Sequence, residues 1–169
     1  MNVNISNASI DGYLNYQVSW WGRVVNTKTG RILKNLLGSH GYLHVSLSKN
    51  GKVKTHCIHV LVAQAWVLNS EDKKCVDHID GDKTNNHLEN LRYATFSENS
   101  RNMRKHADGS SSFKGVSWDK RAGKWRTQIL VNRKVKTVGR YHSEREAAEV
   151  YNAAAIEHYG EFAKLNKLD

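Results

Sequence analysis

Three residue types spaced along Val76 to Asn99 are suited to cutting a phosphodiester. Asp77 and His78 are adjacent, Asn90 follows twelve residues after the histidine, and Asn99 nine residues after that. A hard divalent cation takes oxygen ligands, which a carboxylate at Asp77 and an amide at Asn99 can offer. Hydrolysis near neutral pH needs a base with a pKa near 7, and only histidine has one without special tuning. The segment thus holds the parts of a metal-and-base site within 24 residues.

These residues need elements to place them. Cys75 to Ile79 and Leu91 to Thr95 read as two short strands, joined by an Asp/Asn-rich loop from Gly81 to Asn90. Thr95 and Glu98 have capping-box spacing, so a helix is expected to begin near Phe96 with Asn99 about one turn in. A helix start also favours anions. Neighbours in a regular strand face opposite ways, so Asp77 and His78 can serve one site only if the strand ends or distorts there. Asp80, Asp82 and Asn102 are alternative ligands.

The run Asp77-His78-Ile79-Asp80-Gly81, with Asn86, Asn90-Leu91-Arg92 and the capped Asn99, resembles the HNH (His-Me finger, ββα-metal) nuclease family, in the variant ending in Asn. The resemblance implies a phosphodiester hydrolase in which His78 is the base on the attacking water and Asp77 and Asn99 hold one divalent cation, Mg²⁺ or Mn²⁺. It gives Asn90 the task of tying the loop so that His78 points correctly. Family members often carry a His-Arg-Leu-Val-Ala helix upstream; here it reads His59-Val60-Leu61-Val62-Ala63, without the arginine, and His59 is read as a packing or orienting residue. Ile58, Leu61, Val62, Ala65 and Trp66 supply the apolar stripe of that helix.

The 169 residues carry a net charge of +10, which points to an acidic partner, most simply double-stranded DNA. The charge is uneven: net +5 over residues 1–52, +1 over 53–106 and +4 over 107–169. A nearly neutral cutting segment between two basic ones suggests a cleaving module between two gripping modules. The N-terminal third reads as short strands, with Asn50-Gly51 as a hairpin turn. Its Gly12-Tyr13, Tyr16-Gln17-Val18-Ser19 and Gly22-Arg23-Val24 resemble the small module found ahead of HNH domains in phage and homing nucleases, with Trp20 where that pattern usually has Asn; Arg23 is its candidate DNA contact.

Beyond a Gly/Ser-rich tract, residues 113–166 read strand, strand, strand, helix, with nine Lys/Arg against one acid from Lys114 to Arg140. Gly115-Val116-Ser117-Trp118-Asp119, Lys124-Trp125-Arg126-Thr127-Gln128-Ile129, Gly139-Arg140-Tyr141 and the Ala147-Ala148…Tyr151…Ala154-Ala155 helix resemble the Apetala-two/ethylene-response-factor DNA-binding domain. That resemblance implies a sheet reading the major groove. Lys114, Trp118, Arg121, Lys124, Trp125, Arg126, Gln128 and Arg140 are its candidate contacts, with the tryptophans expected on the open face for sugars and base edges.

The fold class expected is α+β: a small β-rich module over 1–52, a ββα-metal HNH domain over 53–106, a linker over 107–112, and a three-stranded antiparallel sheet packed on one helix over 113–169. Cys57 and Cys75 suggest buried thiols instead of a disulfide framework, and a zinc site would lack the usual paired cysteines. No apolar run is long enough to span a membrane and no signal peptide is evident, so an intracellular location is expected, with neither a membrane nor an obligate protein partner. The reading is a homing-type endonuclease of phages or large DNA viruses that nicks as a monomer. The alternative is a non-enzymatic, sequence-specific DNA-binding regulator on a degenerate HNH scaffold.

Overall fold

The computed structural model describes residues 7–103 and 109–168, so the first two residues of the expected linker lie outside the described residues. The chain divides into two compact units, Met1–Phe96 and Ser97–Asp169. The first combines three small antiparallel sheets with few helices and the second one such sheet with helices, the α+β class.

In the first unit, β1 (Asn7–Ile10), β2 (Tyr13–Ser19) and β3 (Val24–Asn26) form one sheet, and β4 (Leu36–Leu37), β5 (Leu43–Lys49) and β6 (Lys52–Cys57) a second. Asn50 and Gly51 both take positive φ, 51° and 74°, the turn whose twist matches a tight hairpin between β5 and β6. α1 (Ile58–Trp66) follows, then β7 (Cys75–His78) pairs with β8 (Leu91–Ala94).

Strand alternation turns Tyr16 and Val18 of β2, and Val45 and Leu47 of β5, inward. Ile58, Leu61 and Val62 meet them from α1, together with Ile10, Val24 and Leu91. Each large side chain buried this way contributes about 1.5–3 kcal/mol. The module boundary expected at 52/53 lies at the start of β6, and this core continues across it.

The second unit opens with α2 (Phe96–Arg101), whose first residue closes the first unit, and contains β9 (Val116–Asp119), β10 (Lys124–Val131), β11 (Lys134–Tyr141) and α3 (Glu144–Tyr159). β10 is central in the antiparallel sheet. Asn132 and Arg133, at φ 50° and 61°, turn β10 into β11. Ser143 caps α3 by accepting from the Glu146 amide, and Gly160 ends it at φ 55°. Ala147, Ala148, Tyr151, Ala154 and Ala155 pack beneath the sheet, a small-residue face that lets the helix approach closely. Thr127 Oγ1 donates to the Ala147 carbonyl at 2.8 Å, and the Tyr159 hydroxyl both accepts from and donates to the Leu130 backbone. The first strand starts at Val116, later than the expected Phe113, because Gly115 takes φ +75° against the Tyr151 ring, a conformation outside the extended range.

Candidate active site

β7 ends at His78, so regular strand alternation stops directly after the Asp77-His78 pair. In register, Asp77 stands opposite Arg92 and His78 opposite Leu91. Arg92 donates through Nε at 3.0 Å and Nη2 at 2.9 Å to Asp77 Oδ2, and both side chains are largely buried. The chain then turns: the Gly81 amide donates to the His78 carbonyl at 2.9 Å, and Gly81 has φ 76°.

His78 is 4% exposed, with Nε2 3.2 Å from Asn86 Oδ1. Its ring lies 4.9 Å from that of His59 and 5.9 Å from that of Tyr42, and His59 lies 4.8 Å from Tyr42. Burial pushes the His78 imidazole below its ordinary value, against the opposing influence of the Asn86 bond and of Asp80, Asp77 and Asp82. The imidazole is therefore neutral at pH 7, the state a base requires. His59 is pushed down to about 4, by burial first and then by His78 and His44, and its Nδ1 has no hydrogen-bond partner among the described residues. The Tyr42 phenol is pushed up by burial and by Cys57, Asp77 and Cys75, so its hydroxyl stays protonated. Lys83 Nζ sits 4.7 Å from the Tyr42 ring centre and donates to the His40 carbonyl.

Asn90 stands in the short 3₁₀ turn Leu88–Asn90 and binds the loop from three sides. Its Nδ2 donates to Asp80 Oδ1 and to the Asn85 carbonyl, both at 2.9 Å, while its Oδ1 accepts from the Asp80 amide at 3.0 Å. Its carbonyl also accepts from Ile79, the residue after His78. Two of the three alternative ligands, Asp80 and Asp82, are occupied in shaping this loop. Asp80 Oδ2 accepts from Asn85 Nδ2, and Asp82 Oδ1 accepts from the Thr84 amide and hydroxyl.

Asp77, His78 and Asn90 are thus brought together in the first unit. Asn99 stands half-buried on α2, one turn in, and buried Asn102 follows that helix; both belong to the second unit. Among the described residues no three His, Cys, Asp or Glu side chains are grouped to hold a metal. A carboxylate and an amide are oxygen donors that suit a hard divalent cation, which keeps waters and takes further oxygens from a phosphate. Cys57 and Cys75 are free and half-buried, with Cys57 Sγ 3.3 Å from His44 Nε2.

In the C-terminal sheet, Trp125 pairs with Trp118 and Thr127 with Val116. Directly paired residues share a face, so both tryptophans lie on the helix side with Thr127 and Val116, and Trp125 packs against the core. This corrects the expectation that they occupy the open face, although Trp118, on the edge strand β9, stays 40% exposed. That face carries Lys124, Arg126 and Gln128 of β10, with Arg140 opposite Arg126. Arg140 Nε donates to Asp119 Oδ2 at 2.9 Å, and Arg121 lies exposed in the turn after β9. Lys114 is also corrected as a phosphate contact. Its ammonium donates to the carbonyls of Arg101 and Met103, and burial with nearby Lys164 lowers its pKa to about 8. In the first unit, Arg23 is exposed in the turn between β2 and β3.

Tyr42, Asn86 and Arg92 were not singled out as site residues in the sequence. Arg92 had a signal, because a basic residue two positions after Asn90 falls opposite Asp77 once the two strands are paired. Tyr42 lies 36 residues before His78 and no spacing rule connects them.

The model of the HNH endonuclease family matches residues 56–101, and that of the NUMOD4 motif matches residues 8–48. DNA endonuclease I-HmuI of Bacillus phage SP01 is 44% identical over 87 residues, covering 51% of this chain and 50% of that protein. The HNH endonuclease L560 of Acanthamoeba polyphaga mimivirus, itself uncharacterized, is 38% identical over 134 residues, covering 79% of this chain and 66% of its own. The solved structure of the HNH homing endonuclease I-HmuI, described as binding and cleaving DNA, superposes with a TM-score of 0.54 at 41% identity. That superposition covers 57% of this chain and 56% of that one. Residues 56–101 are thus similar to the HNH endonucleases. The chain spans about half the length of I-HmuI.

Proposed function

We propose that the protein is a metal-dependent DNA endonuclease of the homing type. The observation that carries this reading is the buried His78 at the end of β7, beside the Asp77 carboxylate, in a loop tied by Asn90. His78 takes a proton from water as the oxygen attacks phosphorus, and the bond to the 3′ oxygen breaks. Asp77 and Asn99 would hold the divalent cation, which supplies positive charge for the phosphate oxygens. Arg92 anchors Asp77 in the ladder, and Asn90 keeps the backbone after His78 in place. A single base serves one strand per visit, so a monomer nicks.

The C-terminal sheet acts as a DNA reader of the Apetala-two kind. Support comes from Lys124, Arg126, Gln128 and Arg140 sharing the face opposite α3, in a β-ribbon of a size the major groove admits. Arg121 extends that surface, and Arg23 adds grip from the first unit.

The test is relaxation of supercoiled plasmid by the wild type and by His78→Ala, with Mg²⁺, with Mn²⁺ and with chelator. Nicked circles from the wild type with metal alone, and none from the variant, are expected. Equal cutting by His78→Ala removes His78 as the base. Specific binding without cutting returns the protein to the regulator class.

A further inference from the structure

The buried amide of Asn86 meets His78 in an orientation fixed from its other end. Asn86 Nδ2 donates to the Thr84 carbonyl at 3.1 Å, so Oδ1 is the atom facing His78 Nε2. Turning the amide over would set its oxygen against the Thr84 carbonyl. A carbonyl oxygen only accepts, so Nε2 carries the proton and the lone pair lies on Nδ1. A base needs its lone pair on a defined nitrogen, and the other nitrogen's partner decides which one that is.

Asn86 is held in turn by a segment far away in sequence. Gly22, at φ +83°, lies so close that a Cβ there would stand 2.9 Å from Asn86 Cβ and from Ile58 Cγ2. Two further ties join the same turn to the loop: the Leu88 amide donates to the Trp20 carbonyl at 2.7 Å, and the Trp20 ring meets His87 edge-on at 4.8 Å. The turn between β2 and β3 therefore backs residues 86–88. Tyr42, ahead of β5, brings a second N-terminal ring against His59 and His78.

We propose that Asn86 is a positioning residue that fixes the tautomer of His78, and that the turn carrying Gly22 holds Asn86 in place. The N-terminal strands are then part of the hydrolytic apparatus as well as a grip on DNA. The inference rests on His78 being the base.

The test is imidazole ¹⁵N–¹H spectroscopy of the full chain at pH 8, without metal or DNA, with His78 assigned by its loss in His78→Ala. The wild type is expected to show protonated Nε2 and unprotonated Nδ1 at His78. Asn86→Leu, which removes the acceptor, should move both signals toward a tautomer mixture and lower kcat roughly 10- to 100-fold with KM nearly unchanged. Gly22→Ala should shift the signals as Asn86→Leu does. Wild-type signals retained in Asn86→Leu overturn the proposal, and retained in Gly22→Ala they overturn its second half. Should Asn86→Leu fail to fold, the wild-type spectrum decides, because protonated Nδ1 or a mixture there overturns the proposal. The spectra need no cleavage, so a wild type with protonated Nε2 that cuts no DNA counts against the nuclease reading alone.

Discussion

Arg92 and Asp77 face one another across the β7–β8 ladder, with Nε and Nη2 of the guanidinium both directed at a single carboxylate oxygen, Oδ2. Both side chains are nearly removed from water, at 12% and 5% exposure. Breaking such a pair by removing one partner leaves a buried charge uncompensated and costs about 3–5 kcal/mol. Arg92→Leu is therefore expected to lower the chain's unfolding free energy by that order in urea denaturation. Arg92→Leu combined with Asp77→Asn should recover part of the loss. A single variant within 0.5 kcal/mol of wild type, as a rough limit for surface changes, would mean that the pair contributes little.

His59 leads to a pH prediction. Its folded-state pKa of about 4 lies below the ordinary histidine value of 6.5. Below the ordinary value the unfolded chain takes up a proton that the folded chain refuses. The stability due to neutral burial is thus fully present above pH 6.5, falls as the pH drops toward 4, and levels off below that. The loss across the window amounts to about 3 kcal/mol at most. His59→Leu should flatten the dependence of the denaturation midpoint between pH 7 and pH 4.5. An equally steep curve in the variant would assign the acid sensitivity to another group.

The open face of the C-terminal sheet predicts a division between binding and stability. Arg126→Ala and Arg140→Ala should weaken DNA binding and each reduce the slope of log K against log salt by about 1, with little change in melting. Trp125→Ala should mainly destabilise the chain, by about 3 kcal/mol, because its ring packs against the core instead of standing beside Arg126. Binding isotherms at several salt concentrations, together with melting curves, separate the two effects. Loss of affinity in a normally stable Trp125→Ala would return the tryptophan to the binding surface.

These tryptophans also mark where the sequence stopped being informative. Hydrophobic alternation and turn residues located β7, β8 and the β5–β6 hairpin closely, because each depends on local chemistry, as Asn50-Gly51 does in its turn. Which face a strand residue joins depends on the register with its neighbour, and β10 also shifts register against β11 between Thr127 and Gln128. Asp77, His78 and Asn90 were legible because one short segment holds all three. Tyr42, Gly22 and Asn86 come together only when the core joins β2, β5 and α1 to the loop, and no local pattern records that.

Asn99 and the loop aspartates can be separated by their metal dependence. The oxygens of Asp80 and Asp82 already accept from Asn85, Asn90, the Asp82 amide and Thr84, so these residues shape the loop behind His78. Replacing Asp80 by Asn removes charge from those bonds, and should lower kcat without moving the Mg²⁺ concentration needed for half-maximal rate. Asn99→Ala removes a neutral oxygen donor. It should raise that concentration roughly tenfold, an effect of about 1.4 kcal/mol, and respond to added Mn²⁺. The titrations use one plasmid and one enzyme concentration, so the two curves compare directly. A shifted metal requirement in Asp80→Asn with an unshifted one in Asn99→Ala would move the cation from the helix to the loop, and with it the assignment of the second ligand.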